Sequence, residues 1–76
     1  MTIGQLMLSG FTISAPVRIL LYLGLKVGNG DEVVIQYEGY PAEKDIPFDL
    51  MTKAITAINV TDDGWLEIEY VDEDLF

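Results

Sequence analysis

The last third of the chain alternates apolar and polar residues around a turn, and this pattern constrains the fold more than any other feature. Asp62, Asp63 and Gly64 predict a three-residue hairpin turn with Gly64 in the left-handed conformation. The facing pairs on the apolar side are then Val60 with Leu66, Ile58 with Ile68, and Thr56 with Tyr70. The polar side pairs Asn59 with Glu67, Ala57 with Glu69, and Thr61 with Trp65. Since a slip by one residue would bury Glu67 and Glu69, the pattern predicts a single register with Val60 and Ile58 turned toward the core.

The first residues of the chain carry the signature of a helix start. Thr2 and Gln5 fit a capping box, in which each side chain bonds the backbone amide of the other residue. Apolar residues follow at helical spacing, and Gly10 is a suitable helix end. The pattern predicts a short helix over residues 3–8.

Residues 17–23 are rich in β-branched and aromatic side chains and predict a strand that is apolar on both faces. Leu20 and Tyr22 lie on its second face. Two interpretations stay open for them: the short helices cover this face, or a second copy of the chain does, which would make a homodimer.

The middle of the chain predicts a second hairpin and a second helix. Asn29-Gly30 is a strong signal for a two-residue turn, and residues 32–37 form the returning strand. Residues 45–51 predict a helix of about two turns, with Pro47 at its first position. Together these elements predict a single α+β domain over residues 1–76, with a small, mainly antiparallel sheet of about four strands and one or two short helices on one face.

Charge is distributed unevenly along the chain. All 13 acidic residues follow residue 30, whereas the first thirty residues carry only Arg18 and Lys26, and the net charge is −9. An acidic surface of this kind attracts basic partners. It disfavours direct binding to nucleic acid, because phosphate contacts require clustered Lys and Arg side chains.

The composition removes most catalytic chemistry. The chain has no cysteine and no histidine, so it lacks disulfides, thiolate metal sites and the usual acid-base catalyst. Paired carboxylates are the remaining catalytic possibility, but 76 residues leave little room for a pocket of roughly 300 Å³ beside a packed core. We therefore expect no enzymatic activity, no cofactor and no metal site.

The sequence also predicts where the chain works. The longest apolar run, Ile19–Leu25, is far shorter than the ~20 residues that cross a bilayer. The absence of cysteine favours a reducing compartment. We expect a cytoplasmic protein with no membrane contact.

The candidate partner-binding residues follow the turn and the last strand. Carboxylates in this arrangement can occupy a groove that normally holds a phosphate backbone, with Trp65 and Tyr70 as contact anchors. These residues are Asp62, Asp63, Trp65, Glu67, Glu69, Asp72, Glu73 and Asp74. The alternative is that acids on the solvent side of a hairpin only keep the protein soluble and protect the sheet edge.

The stretch from Val33 to Tyr70 resembles small, acidic, uncharacterised proteins of phages and prophages. The resemblance rests on Tyr37-Glu38-Gly39, Asp45-Ile46-Pro47-Phe48-Asp49-Leu50, Asp62-Asp63-Gly64 and Leu66-Glu67-Ile68-Glu69. It implies a class that includes inhibitors of host defence, such as anti-CRISPR proteins and mimics of DNA, which act in the cytoplasm of the host cell. No named family of that type is assigned.

Two functions are therefore expected from different classes. The first is a non-enzymatic, phage-type inhibitor that blocks the basic groove of a nucleic-acid-handling host protein, with a CRISPR effector as the example that the resemblance implies. The second is a structural or assembly protein that forms a homo-oligomer through the apolar strand face.

Overall fold

The computed structural model describes residues 1–8, 15–26 and 30–72. Its elements follow one another as α1 (Ile3–Leu8), β1 (Val17–Lys26), β2 (Gly30–Gly39), α2 (Phe48–Met51), β3 (Ile55–Val60) and β4 (Leu66–Val71). The strands form a four-stranded sheet in the order β2-β1-β4-β3. The predicted α+β class, with a small sheet and short helices, is confirmed.

The two central strands of the sheet run parallel to each other. β1 pairs with β4 from Val17–Leu66 to Tyr22–Val71, whereas β1–β2 and β3–β4 are antiparallel. The sheet is therefore mixed, and the sequence pattern did not indicate its parallel pair. The central position of β1 explains why this strand is apolar on both faces, since parallel strands are usually covered on both sides.

The hydrophobic core lies on the face of the sheet that carries Ile19 and Ile68. Its buried members are Ile3, Val17, Ile19, Tyr37, Leu50, Leu66, Ile68 and Tyr70. Leu6 and Met7 of α1 and Met51 of α2 pack against this cluster. Both described helices therefore cover the same face, as predicted.

The predicted capping box at the start of α1 is present. The Thr2 amide donates to Gln5 Oε1 at 2.8 Å, and the Gln5 amide donates to Thr2 Oγ1 at 3.1 Å. α1 begins and ends at the predicted residues, and Gly10 lies outside the described part of the chain. A Cβ on Gly4 would lie 2.9 Å from the Met51 carbonyl oxygen, so a glycine here lets α1 approach α2 closely.

The register of the β3–β4 hairpin agrees with the sequence pattern except at its open end. Val60–Leu66, Asn59–Glu67, Ile58–Ile68 and Ala57–Glu69 are paired as predicted. Gly64 has the left-handed conformation, with φ 87°. The Thr56–Tyr70 pair is wrong, because a bulge at Thr56 pairs Ile55 with Tyr70 instead. The Thr56 hydroxyl donates to the Glu69 carbonyl oxygen at 3.1 Å, which offsets the interrupted ladder.

The prediction that Ile58 and Val60 are turned toward the core is wrong, because neither side chain is buried. They share a face with Ile68 and Leu66, yet their side chains are 49% and 67% exposed. The physical reason is the strand order, since β3 is an edge strand and the described helices pack over the central strands. In this hairpin the buried side chains are therefore those of β4, and none is on β3.

The middle of the chain departs from two sequence predictions. Gly30 pairs with Lys26 and is the first residue of β2, so it belongs to the ladder and is not the second residue of a two-residue turn. Asn29 lies outside the described residues. α2 is shorter than residues 45–51, because Pro47 occupies the position before its first turn and Thr52 ends it.

Two core tyrosines predict a loss of stability in alkali. Tyr37 and Tyr70 are each 3% exposed, and burial raises the pKa of both phenols above the ordinary value of 10.0, with smaller contributions from Asp45 and Asp72. The folded state therefore holds these protons more tightly than the unfolded state, and the free energy of unfolding should fall as pH rises above 10.0. Urea denaturation across this range measures the effect. A Tyr70→Phe variant should show a smaller fall, and an unchanged pH slope would contradict the assignment.

Candidate partner-binding surface

The second face of the sheet lies opposite the described helices, and it is called the open face here. Cross-strand pairing places its members in adjacent rows. Its side chains come from all four strands: Arg18, Leu20 and Tyr22 of β1, Val33, Ile35 and Glu38 of β2, Ala57 and Asn59 of β3, and Glu67, Glu69 and Val71 of β4.

One end of the open face is an ion-pair cluster centred on Arg18. The Arg18 Nε atom lies 3.0 Å from Glu38 Oε2, and its Nη1 atom lies 2.8 Å from Glu67 Oε2. The hydrogen bonds to Glu67 and then to Glu38 raise the pKa of the guanidinium, so Arg18 stays charged. Because β1 lies between β2 and β4, one cation holds carboxylates from both neighbouring strands.

Trp65 belongs to this cluster. The Arg18 Cζ atom lies 4.6 Å from the centroid of the Trp65 ring, a cation–π contact. The Trp65 amide donates to Thr61 Oγ1 at 3.0 Å, which fixes the end of the hairpin turn. Arg18 therefore contacts one face of the indole ring of Trp65.

The other end of the open face is apolar. Leu20 pairs with Ile35 on one side and with Glu69 on the other. Ile35 is 53% exposed and Val33 is 43% exposed, whereas Leu20 and Val71 are half-buried. An apolar patch of this kind beside an acidic side chain is typical of a protein contact. It contradicts the interpretation that the described helices cover the second face of β1.

The structure separates the predicted site residues into several places. The prediction of Tyr70 as a contact anchor is wrong, because Tyr70 is 3% exposed and belongs to the hydrophobic core. Trp65, Glu67 and Glu69 reach the open face, whereas Asp62 and Asp63 are exposed at the β3–β4 turn. Asp72 follows β4, and its Oδ2 atom lies 3.8 Å from Lys53 Nζ. The last two predicted residues, Glu73 and Asp74, lie outside the described part of the chain.

Sequence reasoning placed Arg18, Leu20 and Tyr22 on this face of β1, but it missed two apolar residues of the surface and the ion pairs of Arg18. Val33 and Ile35 were assigned to a strand but not to the face of Leu20, because their face depends on the bulges between β1 and β2. Val33, Val34 and Ile35 form a continuous apolar run, so no polar residue indicates which of these side chains face the open face. Arg18 was missed as the partner of Glu38 and Glu67, which lie 20 and 49 residues away in sequence.

The described residues contain neither a cluster of metal ligands nor a membrane-spanning helix. Within residues 1–8, 15–26 and 30–72, no group of three or more acidic, histidine or cysteine side chains is arranged to hold a metal ion. No helix in the same ranges is both long and apolar enough to cross a bilayer. Comparisons with protein-family models, curated proteins and solved structures found no match to this chain.

The ion-pair cluster predicts that two neighbouring acids differ in their contribution to stability. A Glu67→Lys change removes the 2.8 Å bond to Arg18 and places a second cation beside it. Glu69→Lys makes the same change of charge on the same strand and face, but Glu69 has no ion pair within the described residues. Glu67→Lys should therefore lower the melting temperature by several degrees more than Glu69→Lys, as measured by circular dichroism. Equal melting temperatures would show that the cluster is not formed in solution.

Proposed function

We propose that this chain is a non-enzymatic inhibitor that binds the basic groove of a nucleic-acid-handling protein and blocks it. The observation that supports the proposal is the pairing of its charges. The described basic side chains are engaged within the chain, while most of the described acids are not. The protein therefore presents an acidic surface with little positive charge to offset it.

The described cations each have a partner in the same chain. Arg18 is held by Glu38 and Glu67, and Lys53 lies beside Asp72. Lys44 Nζ lies 5.3 Å from the centroid of the Tyr37 ring and 3.4 Å from the Glu38 carbonyl oxygen. Carboxylates of the same chain therefore offset the charges of Arg18 and Lys53, whereas the contacts of Lys44 are with neutral groups.

The remaining described acids have no ion pair among the described residues. They are Glu32, Glu43, Asp45, Asp49, Asp62, Asp63 and Glu69. Their charges, added to a net charge of −9, produce a field that accelerates encounter with a basic surface and repels phosphate groups. A protein whose groove normally holds a phosphate backbone fits this field best.

The sequence resemblance supports a particular setting for this activity. Small acidic proteins of phages include inhibitors of host defence, and a CRISPR effector is a nucleic-acid-handling protein with a basic channel. On this proposal, the chain acts in the cytoplasm of the host cell. It excludes nucleic acid by binding the basic side chains of the target that would otherwise contact phosphate groups. It needs no cofactor to do so.

A second candidate function is a homo-oligomer formed through the open face. The exposed Val33 and Ile35 beside Leu20 favour it, because an apolar patch on an exposed sheet face is a common subunit contact. The acids would then serve solubility alone.

The two functions predict different results in affinity capture from a bacterial lysate. The immobilised protein should capture basic nucleic-acid-binding proteins, and these should be released as salt rises, since the Debye length falls from about 10 Å at 0.1 M to about 3 Å at 1 M. Immobilised polyglutamate is the control for non-specific charge. Capture of nothing beyond the polyglutamate set would contradict the proposal, and self-association alone would favour the second candidate.

A further inference from the structure

The central parallel strands are covered by the described helices on one face only. Parallel strands in proteins usually have both faces covered. The second face of β1 also carries apolar residues, as expected for a face that another element or a partner covers. We propose that the open face receives a basic, amphipathic segment of the target protein. This inference rests on the proposed function and adds where the contact lies and what chemistry the partner brings.

The open face has two zones that match such a segment. Its apolar zone consists of Leu20, Val33 and Ile35, with Val33 and Ile35 about half exposed. Glu69 pairs with Ala57 on one side and with Leu20 on the other, so its carboxylate borders this zone at the spacing of neighbouring strands, about 4.8 Å. A segment with apolar residues on one side and cations along its margin would satisfy both zones at once.

Charge complementarity favours this occupant over a second copy of the chain. Among the side chains that the structure describes on the open face, Arg18 is the one cation, and Glu38 and Glu67 bind it. A second copy would therefore bring its own Glu69 to a surface whose cation is engaged. Two chains that each carry a charge of −9 also repel each other. A basic partner would supply a cation for Glu69, and its positive charge would attract the chain.

The apolar zone disfavours a partner that is only basic. A hydrophilic polycation could approach Glu69, but it would leave Val33 and Ile35 in water. An anchoring apolar residue removes that surface from water, and the buried centre of a contact usually carries most of the binding energy. The geometry therefore points to alternating or helically spaced apolar and basic residues in the partner.

The test is a titration of the isotope-labelled full chain with two synthetic peptides of equal composition. One has leucine and lysine at helical spacing, and the other has the same residues in an order without an apolar face. The amphipathic peptide should bind at least about tenfold more tightly, a difference of about 1.4 kcal/mol. Its amide chemical-shift changes should centre on Leu20, Ile35 and Glu69. Ile35→Thr should weaken it by about tenfold. Val60→Thr, a change at a similarly exposed edge-strand residue on the other face, should not.

The outcomes separate this inference from the proposed function. Shift changes confined to the Asp62–Gly64 turn, with no effect of Ile35→Thr, would overturn the inference and leave the acidic inhibitor in place. Failure of both peptides to bind would overturn it as well, and lysate capture would then decide the proposed function by itself. A chain that sedimentation shows to be a dimer, with Ile35→Thr returning it to a monomer, would assign the open face to a second copy and also overturn the inference.

Discussion

Ile68→Ala is expected to lower the free energy of unfolding by about 2–4 kcal/mol, the range for removing a fully buried aliphatic side chain. Ile68 is 0% exposed and lies on β4, between β1 and β3. Its neighbours across the two ladders are Ile19 and Ile58. Few surrounding groups can fill the space, because β4 is bonded on both sides. Urea denaturation measures the change.

Ile58→Ala is the matched control for this prediction. Ile58 pairs directly with Ile68, so the same substitution is made in the same row of the sheet. Its side chain is 49% exposed, and the expected loss is therefore about 1 kcal/mol or less. Losses of equal size would show that β3 is covered in solution, and that the core extends to the edge of the sheet.

Reversal of Asp62, Asp63 and Glu69 to lysine is expected to weaken binding to the captured target by at least about tenfold, or about 1.4 kcal/mol. These acids have no ion pair among the described residues, so their charge is available to a partner. The fold should persist, because Asp62 and Asp63 are exposed in a turn and Glu69 is half-buried on the open face. Surface plasmon resonance measures the affinity.

The control reverses Glu43, Asp45 and Asp49, which carry the same charge in the link to α2 and in α2 itself. It should slow association through the weaker long-range field and change dissociation little, since distant charges act mainly on encounter. If both triple variants lose the same affinity through association alone, binding reflects net charge and has no defined surface. That result would contradict the place assigned to Glu69.

The parts of the fold that the sequence predicted are those that depend on near neighbours. The capping box needs only Thr2 and Gln5, three residues apart, and it formed as predicted. The β3–β4 register follows from alternation around Gly64, because a shift by one would move Glu67 and Glu69 to the buried face. Even there, the bulge at Thr56 depends on a hydrogen bond to the Glu69 carbonyl that no periodicity indicates.

The parts that could not be predicted depend on distant contacts. β4 lies between β1 and β3, and nothing local states that Val17 will pair with Leu66. That one pairing makes β3 an edge strand, exposes Val60 and brings Glu67 to Arg18. The same holds for the candidate surface. Its acidic residues could be identified from the sequence, but its apolar residues on β2 could not, because their face depends on how β2 pairs with β1.

The central claim is that the protein and nucleic acid compete for one basic groove, and a competition titration tests it most directly. Fluorescent DNA is bound to the protein that lysate capture identifies, and anisotropy follows its release as the acidic chain is added. Under competition, the apparent Kd for DNA should rise linearly with the concentration of the chain, without reaching a plateau. Simultaneous binding of DNA and the chain, with the affinity for DNA unchanged, would contradict it.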